Sequence, residues 1–202
     1  MQTLPHLRES PSQTAGPYVH IGCVPNFAGI SGVYDHDLGS KMLRDGVLGD
    51  RIIVTGTVFD GTGTPLRDAM IEIWQADANG IYPGRDPRGA GDPNFAGWGR
   101  AAANGDSGVW SFETIKPGAV PFPDGRMMAP HISFWIVARG INIGLQTRMY
   151  FPDDPAVGDD PWLTRIEHQN RVPTLIAQET KPGTYQFDIH LQGPNETIFF
   201  DV

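Results

Sequence analysis

The chain has very little cysteine, since Cys23 is the only one among its 202 residues. A single cysteine excludes a disulfide framework within the chain and is typical of proteins from a reducing compartment. The first residues, MQTLPHLRESPSQ, have no apolar segment of the kind that a secretory signal needs. No apolar run approaches about 18 residues, the length of a membrane-spanning helix. These features predict a cytoplasmic protein that does not span a membrane.

Clusters of positive charge are also missing. The chain has 15 Lys and Arg against 23 Asp and Glu, a net charge of −8, and its acidic residues are spread along the sequence. This balance argues against binding to nucleic acid or to an anionic membrane surface. A G-x-S-x-G elbow, a phosphate-binding loop and an H-E-x-x-H motif are absent from the sequence as well. The sequence therefore gives no support for a serine hydrolase, a nucleotide-binding protein or a zinc protease.

Glycine and proline are abundant, with 25 and 18 residues, and they separate short segments of alternating polarity. This pattern is typical of a turn-rich all-β protein, and it predicts an antiparallel β-sandwich with an N-terminal arm and little helix. Short helices are expected near residues 40–44 and 161–168, the second because an aspartate and a proline precede it. Strands are predicted over residues 51–60, 69–77, 99–103, 109–115, 131–137, 145–150, 183–193 and 196–202.

Residues 1–49 differ from residues 50–202. Proline and glycine interrupt them often, but Tyr18, Ile21 and Phe27 make them too apolar for a solvated linker. We therefore expect residues 1–49 to form an ordered arm that lies against another surface, and residues 50–202 to form the sandwich.

The segment from His131 to Tyr150 holds two candidate functional side chains. Residues 131–137 alternate, so that His131 shares one strand face with Ser133. The connector after this strand carries Arg139 next to a glycine. Arg148 lies within the next alternating strand, which favours a structural or interface role for it.

Seven segments of the chain read as motifs of a known family. They are WQADANGIY (74–82), DPNFAGWGR (92–100), GVWSFETIKPG (108–118), RMMAPHISF (126–134), YQFDIHLQG (185–193), SPSQTAGPYVHIG (10–22) and ARGINI (138–143). Together they resemble the motifs of intradiol ring-cleavage dioxygenases, and the resemblance covers nearly the whole chain. Within that family, the segments 10–22 and 138–143 are most similar to the α chains of the two-chain members that act on protocatechuate.

The resemblance implies a Fe(III) centre held by two tyrosines and two histidines, but this chain departs from that ligand set. Pro87 and Val120 stand near the positions expected for the tyrosines, and the H-x-H motif reads His131-Ile132-Ser133. One imidazole and a neutral hydroxyl supply no anionic donor for ferric iron. We therefore expect that this chain binds no metal and has no catalytic residue of its own. His131 is then a vestigial ligand position with a structural role.

The resemblance further implies that a homologous β chain carries the Fe(III) and that the active site lies where the two chains meet. The substrates would be protocatechuate and O2, and the assembly a higher hetero-oligomer. Residues of this chain that match the substrate-pocket positions are Thr14, Gly16, Pro17, Tyr18 and Arg139.

Two alternatives to the subunit role remain open at this point. The chain could be a self-sufficient intradiol dioxygenase with an atypical metal site, or a β-sandwich binding module without a catalytic partner. Gly16-Pro17 could equally be a simple turn, and Arg139 could be a solvated charge or part of an intersubunit ion pair.

Overall fold

The computed structural model describes residues 13–84, 86–142 and 144–201, and it confirms the all-β class. Strands are the main regular secondary structure of the described residues, and helix is limited to one short α-helix, α1 (Pro17–Cys23), and three 3-10 segments. The strands are β1 (Arg51–Phe59), β2 (Met70–Trp74), β3 (Trp98–Ala102), β4 (Val109–Ile115), β5 (Val120–Pro121), β6 (Met127–Met128), β7 (His131–Val137), β8 (Leu145–Tyr150), β9 (Gln178–Lys181), β10 (Thr184–Gln186) and β11 (Ile189–His190).

Two main sheets form the sandwich. One sheet has the strand order β3-β2-β7-β8, with every neighbouring pair antiparallel. In the other, β1 is central: β4 pairs with it antiparallel on one side, and β10 and β11 pair with it parallel on the other. These parallel pairs depart from the purely antiparallel arrangement that the sequence predicts.

Apolar side chains from alternate strand positions fill the space between the sheets. Trp110 on β4 meets Phe134 on β7 with ring centroids 5.5 Å apart, and Phe134 meets Phe187 at 5.2 Å. The glycine at position 56 of β1 is explained by sterics, because a side chain there would collide with the Phe187 backbone carbonyl. The alternation of β7 that the sequence predicts is therefore the alternation between this core and the outer face.

The helices predicted at 40–44 and 161–168 are wrong. Residues 42–44 are extended, because the N–H of Arg44 donates to the Asn94 carbonyl and Leu43 forms a bridge with Phe95. Residues 163–165 form a 3-10 turn instead of an α-helix. The Gln169 side chain donates to the carbonyls of Leu163 and Ile166, which competes with continuation of an α-helix.

The strand predicted at 196–202 is also wrong within its described part. The N–H of Thr197 donates to His190 in one sheet, whereas the N–H of Phe200 donates to Gln146 in the other. The segment crosses between the sheets, so it cannot pair continuously with either. In the described part of the chain, no helix has the length and apolarity required to cross a membrane.

Candidate functional site

The arm is joined to the connector between β7 and β8 by one threonine. The N–H of Gly140 donates to Thr14 Oγ1 over 2.8 Å, and the same hydroxyl donates to the Ala138 carbonyl over 3.4 Å. These two bonds span the connector on either side of Arg139. Thr14, predicted as a pocket residue, therefore also fixes the arm beside the connector that carries the arginine.

Gly16 and Pro17 form the start of α1. Gly16 is the N-cap, with extended backbone at φ −134°, and Pro17 occupies the first turn, where its missing N–H costs no helical hydrogen bond. A Cβ placed on Gly16 would have no heavy atom within 4 Å, so this stretch of backbone is open to an approaching group.

A cavity of about 580 Å³ lies between this turn and the rest of the chain. Gly16, Pro17 and Arg139 line it together with the β1–β2 loop, which contributes Asp60 and Asp68. The structure thus brings three of the five sequence-predicted residues to one cavity, and Thr14 lies beside them through its bonds to the connector. A ring-sized acid would find both a thin backbone wall and a cationic group here.

Arg139 is solvent-exposed over 80% of its side chain. Its Nε lies 3.7 Å from Asp68 Oδ2, and an ion pair of this exposure contributes little to stability. The guanidinium can therefore exchange this partner for a carboxylate of a ligand or of another chain.

Tyr18 differs from the other four residues. It is 85% exposed and is not among the residues that line the cavity in the described part of the chain. Its ring is presented to solvent from the first turn of α1, next to Pro17.

His20 is a cavity residue that the sequence reasoning missed. The signal was available, because residues three and four positions apart share a helix face, and His20 follows Pro17 by three. Asp60 and Asp68 were also missed, since nothing in the sequence indicated which turn of the sandwich would meet the arm.

His131 is buried on the outer face of β7. Its Nδ1 lies 2.8 Å from the Ala129 carbonyl, so Nδ1 carries the proton and Nε2 carries the lone pair. Nε2 has no hydrogen-bond partner among the described residues. Burial, and secondarily the positive charge of Arg148, lower the pKa of His131 to about 4.

The buried imidazole should make the stability of the protein depend on pH. Because the ordinary pKa of histidine is 6.5 and that of folded His131 is about 4, the unfolded chain binds a proton that the folded chain rejects in this window. The part of the free energy of unfolding that depends on neutral His131 is therefore fully present above pH 6.5, and it is lost as the pH falls towards 4. We expect His131 to contribute a loss of about 2–3 kcal/mol between pH 7.5 and pH 4.5.

Urea unfolding at the two pH values, in the native chain and in His131→Asn, measures this contribution. The variant keeps the carboxylates that also titrate, so the difference between the two proteins isolates the imidazole. Equal pH dependence in both proteins would contradict the assignment.

The positions that the resemblance assigns to iron ligands do not fit ferric iron. Val120 is buried and apolar, Ser133 offers a neutral hydroxyl, and the side chain opposite Ser133 is the cation Arg148. His131 is the one matching donor, and Fe(III) needs anionic oxygen donors. Among residues 13–84, 86–142 and 144–201, no group of three or more His, Cys, Asp or Glu side chains could hold a metal ion.

Comparison with known proteins shows the family to which this chain belongs. The family model described as Dioxygenase matches residues 24–193. The chain is 44% identical over 199 residues to the protocatechuate 3,4-dioxygenase alpha chain of Pseudomonas putida, covering 96% of this chain and 97% of that protein. This chain belongs to the intradiol dioxygenase family. The resemblance inferred from the sequence motifs is thereby confirmed.

Other proteins are similar to this chain at lower sequence identity. The protocatechuate 3,4-dioxygenase beta chain of Burkholderia cepacia is 37% identical over 177 residues, which is 82% of this chain and 75% of that one. Among solved structures, 3-chlorocatechol 1,2-dioxygenase from Rhodococcus opacus has the same fold, with a TM-score of 0.59 at 23% identity over 80% of this chain and 67% of that one. An alpha-type and a beta-type relative therefore both align with most of this chain.

Proposed function

We propose that this chain is the α subunit of a protocatechuate 3,4-dioxygenase. Together with a β chain it would insert both atoms of O2 into protocatechuate, cleaving the ring between the two hydroxylated carbons to give 3-carboxy-cis,cis-muconate. The observation that carries the proposal is 44% identity over nearly the full length of an alpha chain, combined with an incomplete ligand set.

The partner in this proposal is a homologous β chain that holds the Fe(III). The donor set of this chain supports that division, because His131 is the one matching ligand and Arg148 adds positive charge beside it. A higher hetero-oligomer of such pairs, located in the cytoplasm, completes the proposal.

Residues 1–49 are proposed as the arm that contacts the partner, and residues 50–202 as the sandwich. Among the described residues, eight of the thirteen exposed large apolar side chains belong to the arm, and a concentration of exposed apolar surface is typical of interaction sites. These side chains are Tyr18, Ile21, Phe27, Ile30, Val33, Tyr34, Leu38 and Leu48, with between 38% and 85% of their surface accessible. A single copy of the chain leaves them in water, and a partner of similar fold would cover them.

The arm and the connector between β7 and β8 would together present the substrate-binding residues to the partner's active site. Arg139 can pair with the carboxylate of protocatechuate, and Gly16 and Pro17 can form a thin wall against its ring. Tyr18, exposed beside them, offers an amphipathic ring to the same neighbour. Thr14 holds this group in place through the connector.

Co-expression with a β chain tests the function directly. We expect the chain purified alone to be colourless, free of iron and inactive, because it lacks tyrosinate donors. The co-purified complex should contain iron, show the visible charge-transfer band of tyrosinate bound to Fe(III), and consume O2 and protocatechuate in equal amounts.

Two other results would overturn the proposal. An isolated chain that is coloured, holds iron and cleaves catechols is a self-sufficient dioxygenase. A chain that forms no complex with β chains and supports no ring cleavage is a binding module.

A further inference from the structure

One guanidinium lies beside two of the positions that the family resemblance assigns to metal ligands. Strand pairing puts Arg148 of β8 directly opposite Ser133 of β7, and Tyr150 opposite His131. Side chains on one sheet face lie at every second residue, so Arg148, Ser133 and His131 share the outer face of this sheet.

Packing fixes the guanidinium in this position. The Cζ atom of Arg148 lies 4.3 Å from the centre of the Trp162 ring, and its Nη1 lies 3.6 Å from Met128 Sδ. Met128 pairs with Val120, the residue at the second tyrosine position, and both belong to one small buried cluster. Positions 131 and 133, which the family resemblance assigns to ligands, therefore lie beside Arg148, and position 120 is connected to it through Met128.

The remaining histidine is still arranged as a metal ligand. Its Nδ1–H donates to a backbone carbonyl, the arrangement that orients ligating imidazoles, and Nε2 is buried without a partner among the described residues. Ser133 is half-buried and also borders a cavity of about 280 Å³, so a larger side chain at this position has space. The missing anionic donors account for the absence of a ferric site, but they would not keep out a divalent ion such as Ni²⁺ once a second imidazole stood at residue 133.

We propose that Arg148 excludes metal ions from this chain by charge, so that its guanidinium replaces the cation of the family's centre. A fixed positive charge in a half-buried site repels a di- or trivalent cation strongly, because the effective dielectric constant there is far below that of water. Restoring ligands while keeping Arg148 should then fail to restore metal binding. The proposal concerns this chain alone and does not depend on the partner.

Four variants of the full chain test the charge against the ligands. Ser133→His recreates the H-x-H motif, and Ser133→His/Arg148→Gln also removes the charge. Ser133→His/Arg148→Lys keeps the charge with a different shape. Ser133→His/Arg165→Gln is the matched control, because Arg165 also stacks on an aromatic ring, 4.4 Å from the Phe122 centroid, but its side chain is 60% exposed.

Titration calorimetry with Ni²⁺ alone gives the readout, with the native untagged chain as the background from its other histidines. We expect Ser133→His/Arg148→Gln to bind at least about tenfold more tightly than Ser133→His. The double variants that carry Arg148→Lys or Arg165→Gln should match Ser133→His. Circular dichroism and thermal unfolding confirm folding, and Ser133→His/Arg148→Met, which preserves packing on Trp162, replaces the Arg148→Gln variant if that one is unfolded.

Three outcomes would overturn the proposal. Ser133→His could bind Ni²⁺ as tightly as the variant without Arg148, which would show that the missing ligand was the barrier. Neither variant could bind above the background, which would show that removing the charge does not admit a metal. The Arg165 control could bind as tightly as the Arg148 variant, which would show that the effect is not local.

Discussion

Replacing Arg139 by alanine in the assembled α–β complex is expected to lower kcat/KM for protocatechuate by about 10- to 100-fold, the cost of one charge-assisted hydrogen-bond partner. The loss should fall mainly on KM if the guanidinium holds the substrate carboxylate equally in the ground and transition states. Thermal stability should hardly change, because the side chain is 80% exposed and its ion pair with Asp68 is weak.

A substrate without the carboxylate of protocatechuate provides the control for this experiment. Catechol lacks the carboxylate of protocatechuate, so whatever rate the complex shows with catechol should be unaffected by Arg139→Ala. Arg126→Ala removes another exposed arginine, one paired with Asp124, and should leave both substrates unaffected. Unchanged KM and kcat for protocatechuate would remove Arg139 from the site, whereas equal losses on both substrates would indicate a role in assembly.

Asp160→Ala is expected to destabilise the chain by about 3–5 kcal/mol, because it leaves several buried N–H groups without an acceptor. The fully buried carboxylate accepts hydrogen bonds from the backbone N–H groups of Ala129, Trp162 and Leu163, at 2.8, 2.8 and 2.9 Å. Ala129 precedes β7 and Trp162 supports Arg148, so this one side chain links the loop to the outer sheet face.

Chemical denaturation of Asp160→Ala and Asp159→Ala measures the effect with a neighbouring control. Asp159 is exposed, and its replacement should change the free energy of unfolding by less than about 0.5 kcal/mol. Asp160→Asn keeps an oxygen acceptor and should fall between the two. A loss for Asp160→Ala no larger than that for Asp159→Ala would show that water replaces the carboxylate.

Strand alternation was sufficient to predict most of the sandwich. Strands β1, β2, β4, β7 and β8 bury alternate residues between two sheets, and period-two patterns report that burial directly. The errors have a different origin. Residues 163–165 are shaped by the side chain of Gln169 just beyond them, which donates to the carbonyls of Leu163 and Ile166. Residues 197–200 are shaped by bonds to both sheets, including a long-range one to Gln146, and no pattern of alternating polarity encodes either kind of bond.

The candidate site was predictable only in part. Family motifs selected Thr14, Gly16, Pro17 and Arg139, which the structure brings together, but they did not indicate that the arm would fold back on its own chain through Thr14. Arg148 was recognised only as an arginine within a strand. Its position among the former ligand sites depends on the register between β7 and β8 and on packing against Trp162, which are tertiary properties.

The central place of β1 has a consequence for biosynthesis. Its parallel partners, β10 and β11, follow it by more than a hundred residues, so one edge of β1 stays open until the ribosome has made nearly the whole chain. Such long-range pairing is slow and leaves an aggregation-prone edge exposed. The arm is translated first, but the sandwich that it lies on is completed last. The sheet around β1 is therefore complete only after residue 190 has been made, and truncation before residue 184 should yield an insoluble product.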